Sequence, residues 1–231
     1  MTPIAHIRSA FPTKFGIPRQ AGIVDTLESV IVFTPPFRNP DALRGIDEFD
    51  YIWLIWQFSQ NLREGDTTTD GVPQWSPTVR PPRLGGNKRM GVFATRSSFR
   101  PNALALSSVR LLSVEWQSPD GPLLHVAGAD LMDGTPIFDI KPYLPYTDAH
   151  PDARSGFAPT PADHLLQVHV PDPLMALVPQ QHRDSLVAIL AHDPRPSYHH
   201  DPGRIYGLNF YNLEVKFKIV DDNNLEVVNI F

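Results

Sequence analysis

Six basic side chains, Arg80, Arg83, Lys88, Arg89, Arg96 and Arg100, fall between Pro77 and Ser107 with no carboxylate among them. No Asp or Glu occurs between Asp70 and Glu115, although the whole chain carries 25 acidic residues against 20 basic ones. A one-sign run of this kind makes a local positive field that attracts phosphates even where net charge repels them. A solvated basic face with no ligand is the alternative. Gly85-Gly86-Asn87 favours a ligand, because it makes a turn between arginines at which backbone can approach a bound group closely. Beyond the run, Asp130, Asp133 and Asp139 read as carboxylates close to turns and strand ends. With Arg96 and Arg100 they suit a polar small molecule bearing hydroxyls and an ammonium, since carboxylates accept from both and arginine pairs with a carboxylate. Asp as a turn former ahead of Gly134 explains the same residues without a ligand.

Several chemistries are excluded. The chain has no cysteine, so disulfides, Cys-ligated zinc and a thiol nucleophile are all ruled out. No GxGxxG follows a strand, no GxSxG elbow is present, and no GxxxxGK[ST] phosphate loop occurs. Seven of the nine histidines lie after residue 145, but none is spaced as a metal ligand set, and no metal is expected.

The elements that position these groups read mainly as strands. At 231 residues the chain is long enough for one large domain with an appendage, burying roughly 70% of its unfolded surface. Its 25 prolines interrupt long helices. Strands are expected at Ile4 to Ile7, Val30 to Phe33, Phe49 to Phe58, Met90 to Thr95, Leu104 to Val114, Leu123 to Ala129 and Ile137 to Ile140. The stretch FDYIWLIWQF is apolar on both alternating faces, as in a strand covered on each side. Many short strands with Pro/Gly turns argue for an all-β barrel or sandwich. The composition shift at residues 147–162 reads as a linker between a barrel domain, 1–146, and a small α+β domain, 163–231. In the latter, Leu186, Ile189 and Leu190 give the helical stripe of Gln181 to His192, and Leu213, Val215, Phe217 and Ile219 alternate as a strand. The second part carries the acidity: beyond Pro145 there are eleven acids and six bases, leaving the first part neutral. No signal-peptide segment and no run of about eighteen apolar residues occurs, so a soluble, cytoplasmic protein with no membrane association is expected.

The segments RPPRLGGNKRMGVFATRSSFRPN, ADLMDGTPIFDIKPYLPY and DPRPSY closely resemble the TsaA/TrmO family of tRNA N6-adenosine methyltransferases, and PRQAG looks like that family's first loop. The resemblance covers nearly the whole chain. It implies a single β-barrel, not a Rossmann sheet, that binds S-adenosyl-L-methionine and acts as a homodimer. It further implies N6-methylation of threonylcarbamoyladenosine beside the anticodon of tRNA.

Carried over by matching position, the cofactor contacts are Gln20, Ala21, Gly22, Ser59, Gln60, Arg96, Leu106, Asp130, Leu131, Met132 and Asp133. Asn102, Asp139, Lys141 and Tyr143 are the candidates to surround the reacting nitrogen, with Asp139 as the base. Arg80, Arg83, Lys88, Arg89 and Arg100 are expected on anticodon stem-loop phosphates, and Arg195 and Tyr198 reaching over from the second domain, Tyr198 to stack on a loop base. Two other classes stay open on the sequence: an inactive tRNA-binding barrel, and a methyltransferase acting on a small molecule.

Overall fold

Short runs rich in β-branched and aromatic side chains, bounded by Pro and Gly turns, set the strands of the first part: β1 (Ala5–Arg8), β2 (Glu28–Phe33), β3 (Tyr51–Gln57), β4 (Thr78–Val79), β5 (Met90–Gly91), β6 (Leu104–Glu115), β7 (Leu123–Ala127) and β8 (Pro136–Pro142). The structure, a computed structural model, describes residues 1–61, 74–158, 165–195, 201 and 203–231. Six strands close into a barrel in the order β1-β2-β7-β6-β3-β8, with every pairing antiparallel. Closure leaves no free sheet edge, so every inward side chain meets another across the interior. Ile7, Ile31, Ile52, Leu54, Trp56, Val109, Leu124, Val126 and Ile137 fill it.

Two expectations change. Only the even-numbered side chains of β3, Ile52, Leu54 and Trp56, are buried, while Tyr51, Trp53 and Ile55 face outward and Tyr51 is 44% exposed. A barrel wall has one inner face, and among the described residues no second layer buries the outer one. The strand expected at Met90 to Thr95 stops at Gly91 and passes into a 3-10 turn, Val92–Ala94. There the Val92 N–H bonds the Pro77 carbonyl at 2.9 Å and the Thr95 hydroxyl donates back to the Val92 carbonyl at 2.8 Å. The first bond continues the β4–β5 ladder by one step, while the local Thr95 bond turns the backbone out of it.

The helix α1 (Pro145–Asp148) follows β8 on the barrel, and the second part contains β9 (Gln167–His169), α2 (Asp172–Met175), α3 (Arg183–Ala191), β10 (Ile205–Phe210), β11 (Leu213–Ile219) and β12 (Asn224–Ile230). Its sheet has the order β10-β11-β12-β9, with β9 parallel to β12. The stripe of Leu186, Ile189 and Leu190 is buried against it. No described helix is long and apolar enough to cross a membrane.

The segment between β1 and β2 joins both parts. Ala10, Phe11, Val24 and Leu27 belong to the core of the second sheet. The Tyr211 N–H donates to the Ala10 carbonyl at 2.7 Å, and the Ser185 hydroxyl to the Thr26 carbonyl at 2.7 Å. Dividing the chain at 147–162 therefore leaves these residues on the barrel side in sequence but in the second core in space; 159–162 lie outside the described residues.

Candidate functional site

The antiparallel order of the barrel brings the connections 9–27, 58–103 and 128–135 to one end of it. Asp130 stands at this end. The Ser107 hydroxyl donates to Asp130 Oδ1 at 2.6 Å, and the Trp56 indole N–H donates to Ser107 Oγ at 2.9 Å. Burial pushes the Asp130 carboxyl above the usual carboxylate range, opposed by the Ser107 bond, by backbone N–H groups including that of Ala21, and by the Arg96 charge. The Arg96 guanidinium in turn hydrogen-bonds the Gln20 side-chain oxygen. The Gly22 N–H donates to the Gly128 carbonyl at 2.8 Å. Gly128 has φ +77°, and a Cβ there would come within 3.2 Å of the Gly22 Cα and N, so glycine lets the loop lie flat on the barrel. Gln20, Ala21, Gly22, Arg96 and Asp130 thus form one group.

That donor set fits the aminoacyl end of S-adenosylmethionine. A carboxylate suits its ammonium, a guanidinium suits its carboxylate, and the backbone of a glycine-bearing loop allows close approach.

Ser59 and Gln60 lie on the 3-10 turn Ser59–Asn61 directly after β3, at the same end of the barrel. Beside them, the Phe58 N–H donates to the Ala103 carbonyl at 2.9 Å and Gln57 Nε2 donates to the Asn102 carbonyl at 3.3 Å. Ala103 is buried with φ 47°, a conformation that L side chains resist. Its N–H is tied to the Arg100 carbonyl at 3.1 Å, which holds the turn that presents Asn102.

Leu131, Met132 and Asp133 lie in the 128–135 connection at the same end of the barrel, and Leu106 lies on its outer face. Leu131 is buried, and its carbonyl accepts from the Ser9 hydroxyl at 2.9 Å. Asp133 Oδ1 accepts the Ser9 N–H at 2.9 Å, and the Met132 carbonyl accepts the Thr135 N–H at 3.1 Å. Leu106 is 55% exposed on the outer face, because it alternates with the inward Ser107. It is paired with Ile55, which is paired with Asp139.

Asp139 and Lys141 share the outer face of β8, with Lys141 Nζ 3.3 Å from Asp139 Oδ2. Tyr143 lies farther along, its ring centroid 6.1 Å from that of Tyr51 and 5.6 Å from that of Trp53. Trp53 is anchored through its indole N–H on Asp148 Oδ2 at 2.8 Å. Asn102 adjoins Gln57 and Tyr143 adjoins Tyr51, so the two stand at opposite ends of β3, about 20 Å apart at the usual strand rise. One chain does not bring the four catalytic candidates together.

Among the basic candidates, Arg80, Lys88 and Arg89 are exposed around the β4–β5 hairpin, and Arg89 Nη1 donates to Thr78 Oγ1 at 2.9 Å. The left-handed Gly85 and Gly86 make the expected turn between them. Arg83 belongs to the 3-10 turn Pro82–Leu84. Arg100 is half-buried and donates to the Thr95 carbonyl at 3.1 Å, so it braces the turn before Asn102. Arg195 Nε binds both oxygens of Asp193, at 3.0 and 2.9 Å. Tyr198, His164, His199 and His200 lie outside the described residues. Among the described residues no group of three or more His, Asp or Glu side chains is placed to hold a metal ion.

Sequence reasoning missed Ser107 and Trp56 as supports of Asp130, since a serine and a tryptophan inside strands carry no motif. It also passed over the exposed aromatics Trp75, Phe93 and Phe99, whose interleaving with arginines was a usable signal.

Residues 6–149 match the tRNA-methyltransferase O N-terminal domain, and residues 164–231 match the TrmO C-terminal domain. The chain is 38% identical over 226 residues to the tRNA (adenine(37)-N6)-methyltransferase of Escherichia coli strain K12, covering 94% of this chain and 92% of that protein. It is 37% identical over 245 residues to a Pseudomonas aeruginosa protein named putative S-adenosylmethionine-dependent methyltransferase RcsF, covering 100% of this chain and 96% of that one. The crystal structure of TrmO from Pseudomonas aeruginosa superposes with a TM-score of 0.78 at 32% identity, covering 100% of this chain and 96% of the other. With both domains matched in order along one polypeptide, the chain belongs to the tRNA-methyltransferase O family.

Proposed function

We infer that this chain is an S-adenosylmethionine-dependent tRNA (adenine-N6)-methyltransferase whose substrate is threonylcarbamoyladenosine beside the anticodon, converted to its N6-methyl derivative. The observation that carries this reading is the Asp130, Arg96 and Gln20–Gly22 group at one barrel end, in a chain that matches the family across both domains.

Bound S-adenosylmethionine supplies an electrophilic methyl group on a sulfonium centre. Asp130, Arg96 and the backbone of the 20–22 loop hold its aminoacyl end. The target N6 is a ureido nitrogen whose lone pair is delocalised, so it attacks well only once its proton is withdrawn. Asp139 takes that proton as general base. Lys141, paired with Asp139, steadies charge that develops on the neighbouring carbonyl oxygen. Asn102 and Tyr143 orient the base, and much of the acceleration comes from holding the nitrogen in line with the methyl group.

The family resemblance and two features support a homodimer. Tyr51, Trp53, Ile55 and Leu106 make an apolar, partly exposed strip on the outer barrel face, and Asn102 and Tyr143 lie at opposite ends of β3. A two-fold axis across that face would set the Tyr143 end of one subunit against the Asn102 end of the other. An enzyme acting on tRNA works where tRNA is, and on that ground we place it in the cytoplasm.

The test is transfer of a tritiated methyl group from S-adenosylmethionine to tRNA from cells lacking this protein, beside tRNA that also lacks the threonylcarbamoyl group. Label only on the threonylcarbamoylated tRNA is the expected result. Tight tRNA binding without label would instead assign an inactive binding barrel.

A further inference from the structure

Three large aromatic side chains stand out in solvent on the basic segment. Phe93 and Phe99 are each 71% exposed and Trp75 is 43% exposed. The Trp75 and Phe93 rings lie 5.6 Å apart at 36°, a tilted pair. The pair adjoins the β4–β5 hairpin, because Thr78 pairs with Gly91 and the Val92 N–H bonds the Pro77 carbonyl. Arg80 and Arg89 flank the hairpin's other end. Phe99 sits on a separate turn. Its N–H is held by Ser97 Oγ at 3.1 Å, and Arg100, next along, braces the backbone that leads to Asn102.

Rings exposed to this degree contribute little to the core, and an exposed apolar cluster marks a binding surface. Its surroundings say what binds. Arg80, Lys88, Arg89 and Arg96 are exposed on the same segment and no acidic residue lies between Asp70 and Glu115, which suits a polyanion and disfavours a basic protein surface. Single-stranded nucleic acid is recognised by this combination, bases stacking on aromatic faces while arginines follow the backbone.

We propose that the Trp75–Phe93 pair and Phe99 are stacking platforms for unpaired bases of an RNA loop, holding the loop open so that the target base reaches Asn102. The proposal rests on the tRNA methyltransferase reading and adds the residues that splay the loop. Enzymes acting on a base must take it out of its stack, and neighbouring bases then need other surfaces to cover them.

The experiment uses the full chain, a synthetic anticodon stem-loop hairpin carrying threonylcarbamoyladenosine, and the variants Trp75→Ala, Phe93→Ala, Phe99→Ala and Phe93→Tyr, with binding read by fluorescence anisotropy across a salt series. Each alanine variant of a stacking residue should bind about 5- to 150-fold more weakly. The slope of log affinity against log salt should stay unchanged, because no phosphate contact is lost. S-adenosylmethionine affinity should also hold, and Phe93→Tyr should restore binding. Phe93→Ala and Phe99→Ala proteins that bind the hairpin as wild type does, while wild type binds and methylates, would overturn the stacking proposal alone. Variants that keep RNA affinity but lose self-association would assign the rings to a protein interface and overturn it too. Wild-type protein that neither binds nor methylates the RNA would overturn the methyltransferase reading along with it.

Discussion

The Ser107 hydroxyl donates to Asp130 Oδ1 at 2.6 Å while accepting the Trp56 indole N–H at 2.9 Å, so a strand residue inside the barrel aims a carboxylate at its rim. Ser107→Ala removes both bonds at once and leaves the buried Trp56 N–H without this partner. Stability should fall by about 1–3 kcal/mol, measured by denaturant unfolding. S-adenosylmethionine affinity, measured by calorimetry, should fall as well.

Asp130 itself should trade stability for binding. Burial raises its pKa, so the folded state keeps its proton to higher pH than the unfolded chain does. Its contribution to stability is therefore fullest below the ordinary carboxyl range and is lost as pH rises through the folded value. Asp130→Asn removes that loss and should be at least as stable as wild type at neutral pH. The same variant should bind S-adenosylmethionine about 10- to 100-fold more weakly. Wild-type affinity should drop as pH falls through the raised value, and the variant's should not.

Gly128→Ala probes the loop from behind. The residue holds φ +77°, and the added Cβ would meet Gly22 backbone at 3.2 Å. The left-handed conformation alone costs an alanine about 1–2 kcal/mol. Displacement of the 20–22 loop should add a loss of cofactor affinity, which a purely local strain would not produce.

Salt dependence separates the arginines. Arg80→Ala, Lys88→Ala and Arg89→Ala each remove an exposed charge and should each lower the slope of log tRNA affinity against log salt by about 0.7–0.9. Arg100→Ala should leave that slope nearly unchanged and lower kcat, because its guanidinium is held on the Thr95 carbonyl 3.1 Å away.

In the barrel, β2 was legible as a short apolar run ended by Pro35-Pro36, and in the second part β11 carries the period-two alternation that a half-buried strand needs while α3 carries its stripe. β3 misled, since apolar residues on both faces look the same whether the second cover is the chain's own or comes from outside it. The share of Ala10, Phe11, Val24 and Leu27 in the second core was not legible, as it depends on packing against residues far along the chain. At the site, the family motifs supplied Gln20, Arg96 and Asp130. No motif reveals that Leu106 turns outward while Ser107 turns inward; strand register alone decides it. Arg100 reads as one more cation of the run until its bond to the Thr95 carbonyl is seen.

The central claim is tested most directly by nucleoside mass spectrometry of threonylcarbamoylated tRNA after incubation with the protein and S-adenosylmethionine, beside Asp139→Asn and Asp130→Asn variants. One added methyl group on N6 of the threonylcarbamoyladenosine is the result predicted, with Asp139→Asn slow at saturating cofactor and Asp130→Asn recovering as cofactor is raised. Unmethylated tRNA with wild-type protein, or a methyl group placed on another nucleoside, would contradict the account.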